Sequence, residues 1–206
     1  MKMREWERTL SQLHNRSGKQ FYRVAELANL AINHSKLRGI ELARLVNAGL
    51  LIRYTHGIYG IPEATDVPQL AAVMDSHSYV TGEAALYHHG LMTQASTRKT
   101  CFTNRRHNRS RVRHTPLGIF TFCSVSSPVY TPPDKHEYAP PAQALHDFVF
   151  IMRQRGAEPE SVATLRNLDM IEKAEMDTVA MRYPDTVRRQ ARALWLAHAG
   201  STHHTR

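Results

Sequence analysis

The side chains best equipped for chemistry in this 206-residue sequence are arginines. The run Asn104-Arg105-Arg106-His107-Asn108-Arg109-Ser110-Arg111, taken with Arg98, Lys99 and Arg113, holds seven basic residues. No acidic residue occurs between Glu83 and Asp134. So dense a block repels itself unless an anion is near. Arginine meets phosphate through a planar fork of donors, so this run offers phosphate contact rather than bond making. Other reactive residue types are less suggestive. His88 and His89 are adjacent; on a helix their side chains point about 100° apart and cannot share one metal ion from one face. A last helical turn favours histidine through the helix dipole, so their expected role is structural. Cys101 and Cys123 match no metal-ligand spacing and are expected to be free thiols behaving as small hydrophobes. No phosphate-binding glycine loop, nucleophile elbow, His-Glu-x-x-His or Cys-x-x-Cys is present. The expectation is a protein without catalytic residues, metal or cofactor.

Charge is unevenly spread. The formal net charge is +9, yet residues 1–67 carry 10 basic and 6 acidic residues, 68–133 carry 7 and 2, and 134–206 carry 10 and 10. The excess lies in the first two thirds, where it favours a polyanionic partner. A composition of 42% hydrophobic and 22% charged residues is that of a globular chain. The N-terminal charges are followed by no apolar run, and no stretch approaches the roughly 20 apolar residues of a membrane span. With two cysteines only, a reducing cytoplasm is the expected location.

The elements that must position these groups are organised around Ala43 to Pro62. Gly49 falls where a helix ends in a residue tolerant of positive φ. Leu50 to Tyr54 and Ile58 to Ile61 are β-prone runs joined by the turn Thr55-His56-Gly57. A helix handing directly to a hairpin is the join of recognition helix and wing in a winged helix-turn-helix. Upstream, Arg4 to His14 is a first helix with Trp6, Leu10 and Leu13 on one face, and Val24 to Leu30 a second. Asn33 or Ser35 offers an N-cap for the third. In that helix Leu42, Leu45 and Val46 form the inner stripe, leaving Lys36, Ile40, Ala43 and Arg44 outward; its first turn, around Leu37 and Gly39, is out of phase. Docking geometry then nominates Asn33, His34, Ser35 and Lys36 for base edges or phosphates, Arg44 for the backbone, and Arg53 and His56 on the wing.

Further along, Pro68 to Met74 reads as a helix, Tyr79-Val80 as a strand, and Thr81 to Leu91 as a helix stopped at Gly90. Three β-like runs follow, Lys99–Thr103, Val112–His114 and Ile119–Val125, with a turn at Pro116-Leu117-Gly118. The C-terminal third reads as short amphipathic helices: Ala142 to Arg153 with Leu145, Phe148 or Val149, and Met152 inward; one from Glu158 with Val162, Leu165 and Leu168 in phase; then Met170 to Arg182 and Thr186 to His198. A helical cap on the middle sheet, used for a homodimer in one reading, is expected. No residue cluster there suggests chemistry.

Two motifs carry a resemblance. Leu45-Val46-Asn47-Ala48-Gly49-Leu50-Leu51-Ile52-Arg53-Tyr54-Thr55-His56-Gly57-Ile58-Tyr59 is similar to the winged-helix domain of AbiEi-type antitoxins from bacterial type IV toxin–antitoxin systems. Ala85-Leu86-Tyr87-His88-His89-Gly90-Leu91, after a short strand, resembles the start of the C-terminal domain of the same family. The tail matches in pattern only. The resemblance implies a transcriptional repressor of its own promoter that binds double-stranded operator DNA. It implies a nucleotidyltransferase-type toxin as functional partner, with no stable complex expected. The fold expected is α+β: a winged helix-turn-helix over 1–65, a small mixed α/β domain over 66–200 with a basic β region (98–130) and a helical tail (140–198), and a disordered 201–206. DNA contacts are expected from Asn33, His34, Ser35, Lys36, Arg44, Arg53 and His56, and from Arg98, Lys99, Arg105, Arg106, Arg109, Arg111 and Arg113. The competing reading is a metal-dependent nuclease or RNA-processing factor drawing on Asp134, Glu137, Asp147 and Glu172.

Overall fold

The computed structural model describes residues 2–30, 39–106, 111–134 and 137–199. The fold is α+β, with two sheets. The chain forms two compact units, Met1–Ser76 with Arg113–Leu117, and His77–Val112 with Gly118–Arg206.

In the first unit, helices α1 (Met3–Ser17), α2 (Val24–Leu30) and α3 (Gly39–Asn47) accompany strands β1 (Phe21–Arg23), β2 (Ile52–Thr55) and β3 (Ile58–Gly60), followed by α4 (Val67–Met74). The strands form one antiparallel sheet in the order β1-β3-β2. Trp6, Leu10, Tyr22, Leu27, Leu42, Leu45 and Leu51 share an apolar cluster that holds the three helices together. The inner stripe expected of the third helix is therefore present in Leu42 and Leu45, with Val46 packed at the margin. Trp6 also donates its indole N–H to Glu41 Oε1 at 2.9 Å, joining α1 to α3 by a polar contact next to the core. The question of the first turn around Leu37 lies outside the described residues.

Two glutamines explain why α4 belongs to this unit. Gln69 Oε1 accepts the backbone N–H groups of Gln20 (2.6 Å) and Phe21 (3.2 Å). Gln20 Oε1 in return accepts those of Thr65 (2.8 Å) and Asp66 (3.0 Å). Asp66 caps the helix through Gln69 N at 2.8 Å, and Arg23 Nε reaches Val73 O at 2.8 Å.

The second unit contains β4 (Tyr79–Thr81), α5 (Glu83–His88), β5 (Arg98–Thr103), the first residue of β6 (Val112–Thr115, counted with the first unit from Arg113 on), β7 (Gly118–Ser124), α6 (Pro141–Gln154), α7 (Pro159–Val162), a 3-10 turn (Leu168–Met170), α8 (Lys173–Ala180) and α9 (Asp185–Ala199). The strand order is β4-β5-β7-β6. β4 runs antiparallel to β5, and β5 parallel to β7 over Arg98↔Ile119 to Thr103↔Ser124. Cys101 lies opposite Phe122 and Phe102 opposite Cys123, so the two thiols are on different faces of the sheet; both are free.

Two expectations are corrected. The helix of the C-terminal third expected to bury one face, α6, is buried continuously from Ala142 to Val149, with α5, α8, α9 and β4 packed around it. The helix expected through Leu165 and Leu168 stops at Val162. Its continuation is used instead to satisfy another backbone: Thr93 N donates to Thr164 O, Arg166 N to Leu91 O, and Met92 bridges Leu165. Tertiary pairing outweighs local periodicity at this point.

The all-round burial of α6 takes a carboxylate with it. Asp147 is fully buried and accepts from Thr81 Oγ1 at 2.6 Å, Tyr183 OH at 2.8 Å and Tyr79 OH at 3.3 Å. It thereby ties α6 to β4 and to the turn between α8 and α9. Burial pushes its carboxyl from 3.8 up to about 7, against the lowering effect of the three hydroxyl donors and of the Gln143 side chain. A folded value above the unfolded one means that the native state holds the extra proton between about pH 4 and 7. The associated stability is full below that window and is lost as pH rises through it. Urea denaturation of the wild type and Asp147→Asn across pH 4–8 is therefore expected to show the wild type losing on the order of 4 kcal/mol relative to the variant by pH 7, then holding level. In the first unit, Glu41→Ala leaves the Trp6 N–H buried without its acceptor and is expected to lower unfolding free energy by about 1–3 kcal/mol. Glu41→Gln, which keeps an acceptor, is expected to stay near wild type in the same assay.

Candidate functional site

Helix α3 is aimed by its buried side. With Leu42 and Leu45 held in the cluster, Ile40 and Arg44, one turn apart, emerge on the outer face. Ile40 is 73% exposed, an unusual position for a large aliphatic side chain. The helix ends in a two-bond stop: Leu50 N donates to Leu45 O at 3.0 Å and Gly49 N to Val46 O at 3.0 Å. This pattern requires a left-handed residue, and Gly49 supplies it at φ 69°.

The chain then enters the ribbon directly. Arg53 lies opposite Tyr59, which lies opposite Tyr22, so the three share a face; because β2 is the edge strand, Arg53 stays exposed. Its guanidinium donates to His56 Nδ1 at 3.3 Å, so strand residue Arg53 and turn residue His56, both nominated from sequence, form a pair. On the other face Tyr54 meets Phe21 edge-on at 4.9 Å and donates its hydroxyl to Ala64 O at 3.0 Å. Gly60 lies against those rings: a Cβ there would stand 2.7 Å from Tyr54 and 2.9 Å from Phe21. Asn33, His34, Ser35 and Lys36 lie outside the described residues.

The basic run of the second unit is divided by its own sheet. Arg98 and Lys99 open β5, while Arg105 and Arg106 follow its end, roughly 15–20 Å further along the strand. Arg98 reaches across to Thr121 Oγ1 on β7 at 3.2 Å. Lys99 donates to the Ser96 carbonyl, and partial burial lowers its pKa, so its charge is committed to shaping the turn before the strand. At the far end Arg105 donates to His77 Nε2 at 2.7 Å, and its carbonyl accepts Ser124 Oγ at 2.6 Å. Arg106 and Arg111 are exposed and Arg113 is half-buried on β6; Arg109 lies outside the described residues. Arg98 with Lys99 and Arg105 with Arg106 thus lie at opposite ends of β5.

The histidine pair has other partners. His88 stacks on the Tyr138 ring with centroids 4.1 Å apart, and His89 Nε2 lies 2.9 Å from Ala139 O. Burial, then the neighbouring His89, lowers the His88 pKa. Together they fasten the segment that leads into α6. Asp147, one of the carboxylates of the nuclease reading, is occupied by the three hydroxyls described above. Among the described residues, no three His, Cys, Asp or Glu side chains gather where a metal ion could be held. None of the described helices is long and apolar enough to cross a membrane. Sequence reasoning missed one cluster: Arg188, Arg189 and Arg192 beside Trp195, whose spacing of three and four along α9 was the available signal.

Comparison with known proteins bears on the fold. No family profile and no curated protein matches the chain. Among solved structures, the crystal structure of the RV2827C protein from Mycobacterium tuberculosis aligns with a TM-score of 0.55, at 13% identity, over 96% of this chain and 78% of that one. At that identity the likeness is one of architecture, and the chain is similar in fold to the RV2827C protein across nearly its whole length.

Proposed function

We propose that the chain is a double-stranded-DNA-binding transcriptional regulator in which α1–α3 and the β2–β3 ribbon act as a winged helix-turn-helix. The observation that carries this reading is α3 itself. Its inner face is held by Leu42 and Leu45, its outer face exposes Ile40 and Arg44, and it runs through Gly49 into a ribbon bearing Arg53 and His56. A helix so presented offers a cation to phosphate and an aliphatic group to a thymine methyl. The charge excess of the first two thirds supports the same reading, as does the acid-free stretch between Glu83 and Asp134. The arginines at the two ends of β5 are a second set of phosphate contacts. On the motifs described above, the regulator is of the AbiEi type: an antitoxin of a type IV pair that represses its own promoter, acts as a homodimer, and has a nucleotidyltransferase-type toxin as functional partner.

The test is gel retardation of the chain's own upstream DNA over a salt series, with and without magnesium. Intact, retarded DNA and a steep fall of affinity with salt are expected. Arg44→Ala combined with Arg53→Ala is expected to weaken binding by about tenfold or more and to reduce the salt slope by roughly one for each phosphate no longer neutralised. Arg166→Ala, on the exposed surface of the C-terminal third, is expected to leave binding unchanged. Magnesium-dependent loss of full-length DNA, or equal losses from Arg166→Ala, overturns the assignment.

A further inference from the structure

Between α6, α8 and α9 the second unit encloses a cleft of about 410 Å³, within the size range of small-molecule sites. Its walls are predominantly apolar, formed by Met176, Met181 and the Trp195 ring, while Arg189 and Arg192 line it from α9. The indole N–H of Trp195 is already donated to Ile171 O at 3.0 Å, so the ring offers the cleft its carbon surface rather than a donor.

His146 is the informative residue. It is 1% exposed and lines this cleft. Its Nδ1 lies 2.8 Å from the carbonyl of Ala142 one turn back in α6, which makes Nδ1 the protonated nitrogen. Its Nε2 is left as an acceptor with no hydrogen-bond partner among the described residues. Stacking against Tyr183, at 5.1 Å between centroids, holds the ring in place. An acceptor on a cleft wall with no partner from the protein is where a ligand's donor belongs.

The arginines point the same way. Arg188, Arg189 and Arg192 are neighbours on one side of α9, an arrangement that repels itself unless an anion joins it. Arg188 is paired with Asp185 on its own helix. Asp177, across the cleft, is engaged by Lys173 and feels the charge of Arg192. Two carboxylates therefore face three guanidinium groups and one ammonium, and the balance remains positive.

We propose that this cleft binds a small aromatic anion. Its ring packs on Trp195, Met176 and Met181, a ring N–H or O–H donates to His146 Nε2, and its carboxylate, sulfonate or phosphate is held by Arg189 and Arg192. The site is independent of any DNA contact made by the first unit. The probe is 8-anilinonaphthalene-1-sulfonate, which carries both an N–H and an anion, set against the uncharged N-phenyl-1-naphthylamine. Fluorescence titration of the full chain is expected to show one saturable site for the sulfonate, with weaker binding of the uncharged dye. Arg189→Ala with Arg192→Ala, both exposed positions, is expected to weaken the sulfonate tenfold or more and to leave the uncharged dye unaffected. Ala180→Trp, which fills the cleft from α8, is expected to abolish binding of both, with circular dichroism confirming that each variant is folded. Sulfonate affinity unchanged by the double variant, binding that survives Ala180→Trp, or equal affinity for the two dyes overturns the proposal. So does displacement of the dye by a glutamate-rich peptide at lower concentration than by indole-3-acetate, which would make the cleft a peptide groove.

Discussion

A nine-residue helix is too short to persist alone in water, so α3 depends on the apolar surface beneath it. Leu42 and Leu45 supply that dependence by entering the cluster around Trp6 and Tyr22. Once those two side chains are buried, the rotation of the helix about its axis is settled, and Ile40 and Arg44 must face away. The bond from Trp6 to Glu41 adds a directional restraint next to the non-directional one. The ribbon inherits its position from the same source, because the stop at Gly49 leaves no slack between helix and strand. The outward chemistry of the first unit is a consequence of its inward packing.

The second unit solves a different problem. Its central helix has no solvent face along most of its length, so a polar residue there needs partners from several directions. Asp147 finds them in Tyr79, Thr81 and Tyr183, which come from both β4 and the turn before α9. The network converts a costly buried carboxyl into a set of fixed distances between sheet, central helix and outer helices. His146, one residue earlier on α6, shares Tyr183 through ring stacking. The floor of the arginine-lined cleft is thereby set by the same tyrosine that completes the hydroxyl network.

What was legible from sequence follows from the range of the forces involved. Gly49, the β-prone runs around it and the stripe of Leu42 and Leu45 act within a few residues, and the corresponding elements appear where the pattern puts them. The strands around Cys101 and Phe122 were readable for the same reason, and the strand separating Lys99 from Arg105 already contained the division of the basic run. Interactions between distant segments were not readable. Nothing near Leu165 announces that its backbone will pair with Met92 and end a helix. Asp147 looks, in sequence, like any acid on an amphipathic helix; its burial depends on α8 and α9 closing over α6. The Gln20–Gln69 exchange joins residues 49 positions apart, and it draws α4 into the first unit's hydrogen-bonding. The arginines of α9 look like ordinary surface charge in sequence because their meaning lies in what stands across from them.

The close approach of Gly60 to the rings of Phe21 and Tyr54 divides the ribbon into two regimes of sequence freedom. At the stem, no side chain larger than hydrogen fits, and the aromatic pair behind it cannot change size without moving the strand. Toward the turn, Arg53 on the edge strand and His56 are exposed and meet each other. Substitutions at these exposed positions therefore alter charge and reach without disturbing the buried face that carries them. The ribbon behaves as an interchangeable head on a fixed shaft, and divergence among such chains should accumulate at its turn while the stem keeps its glycine.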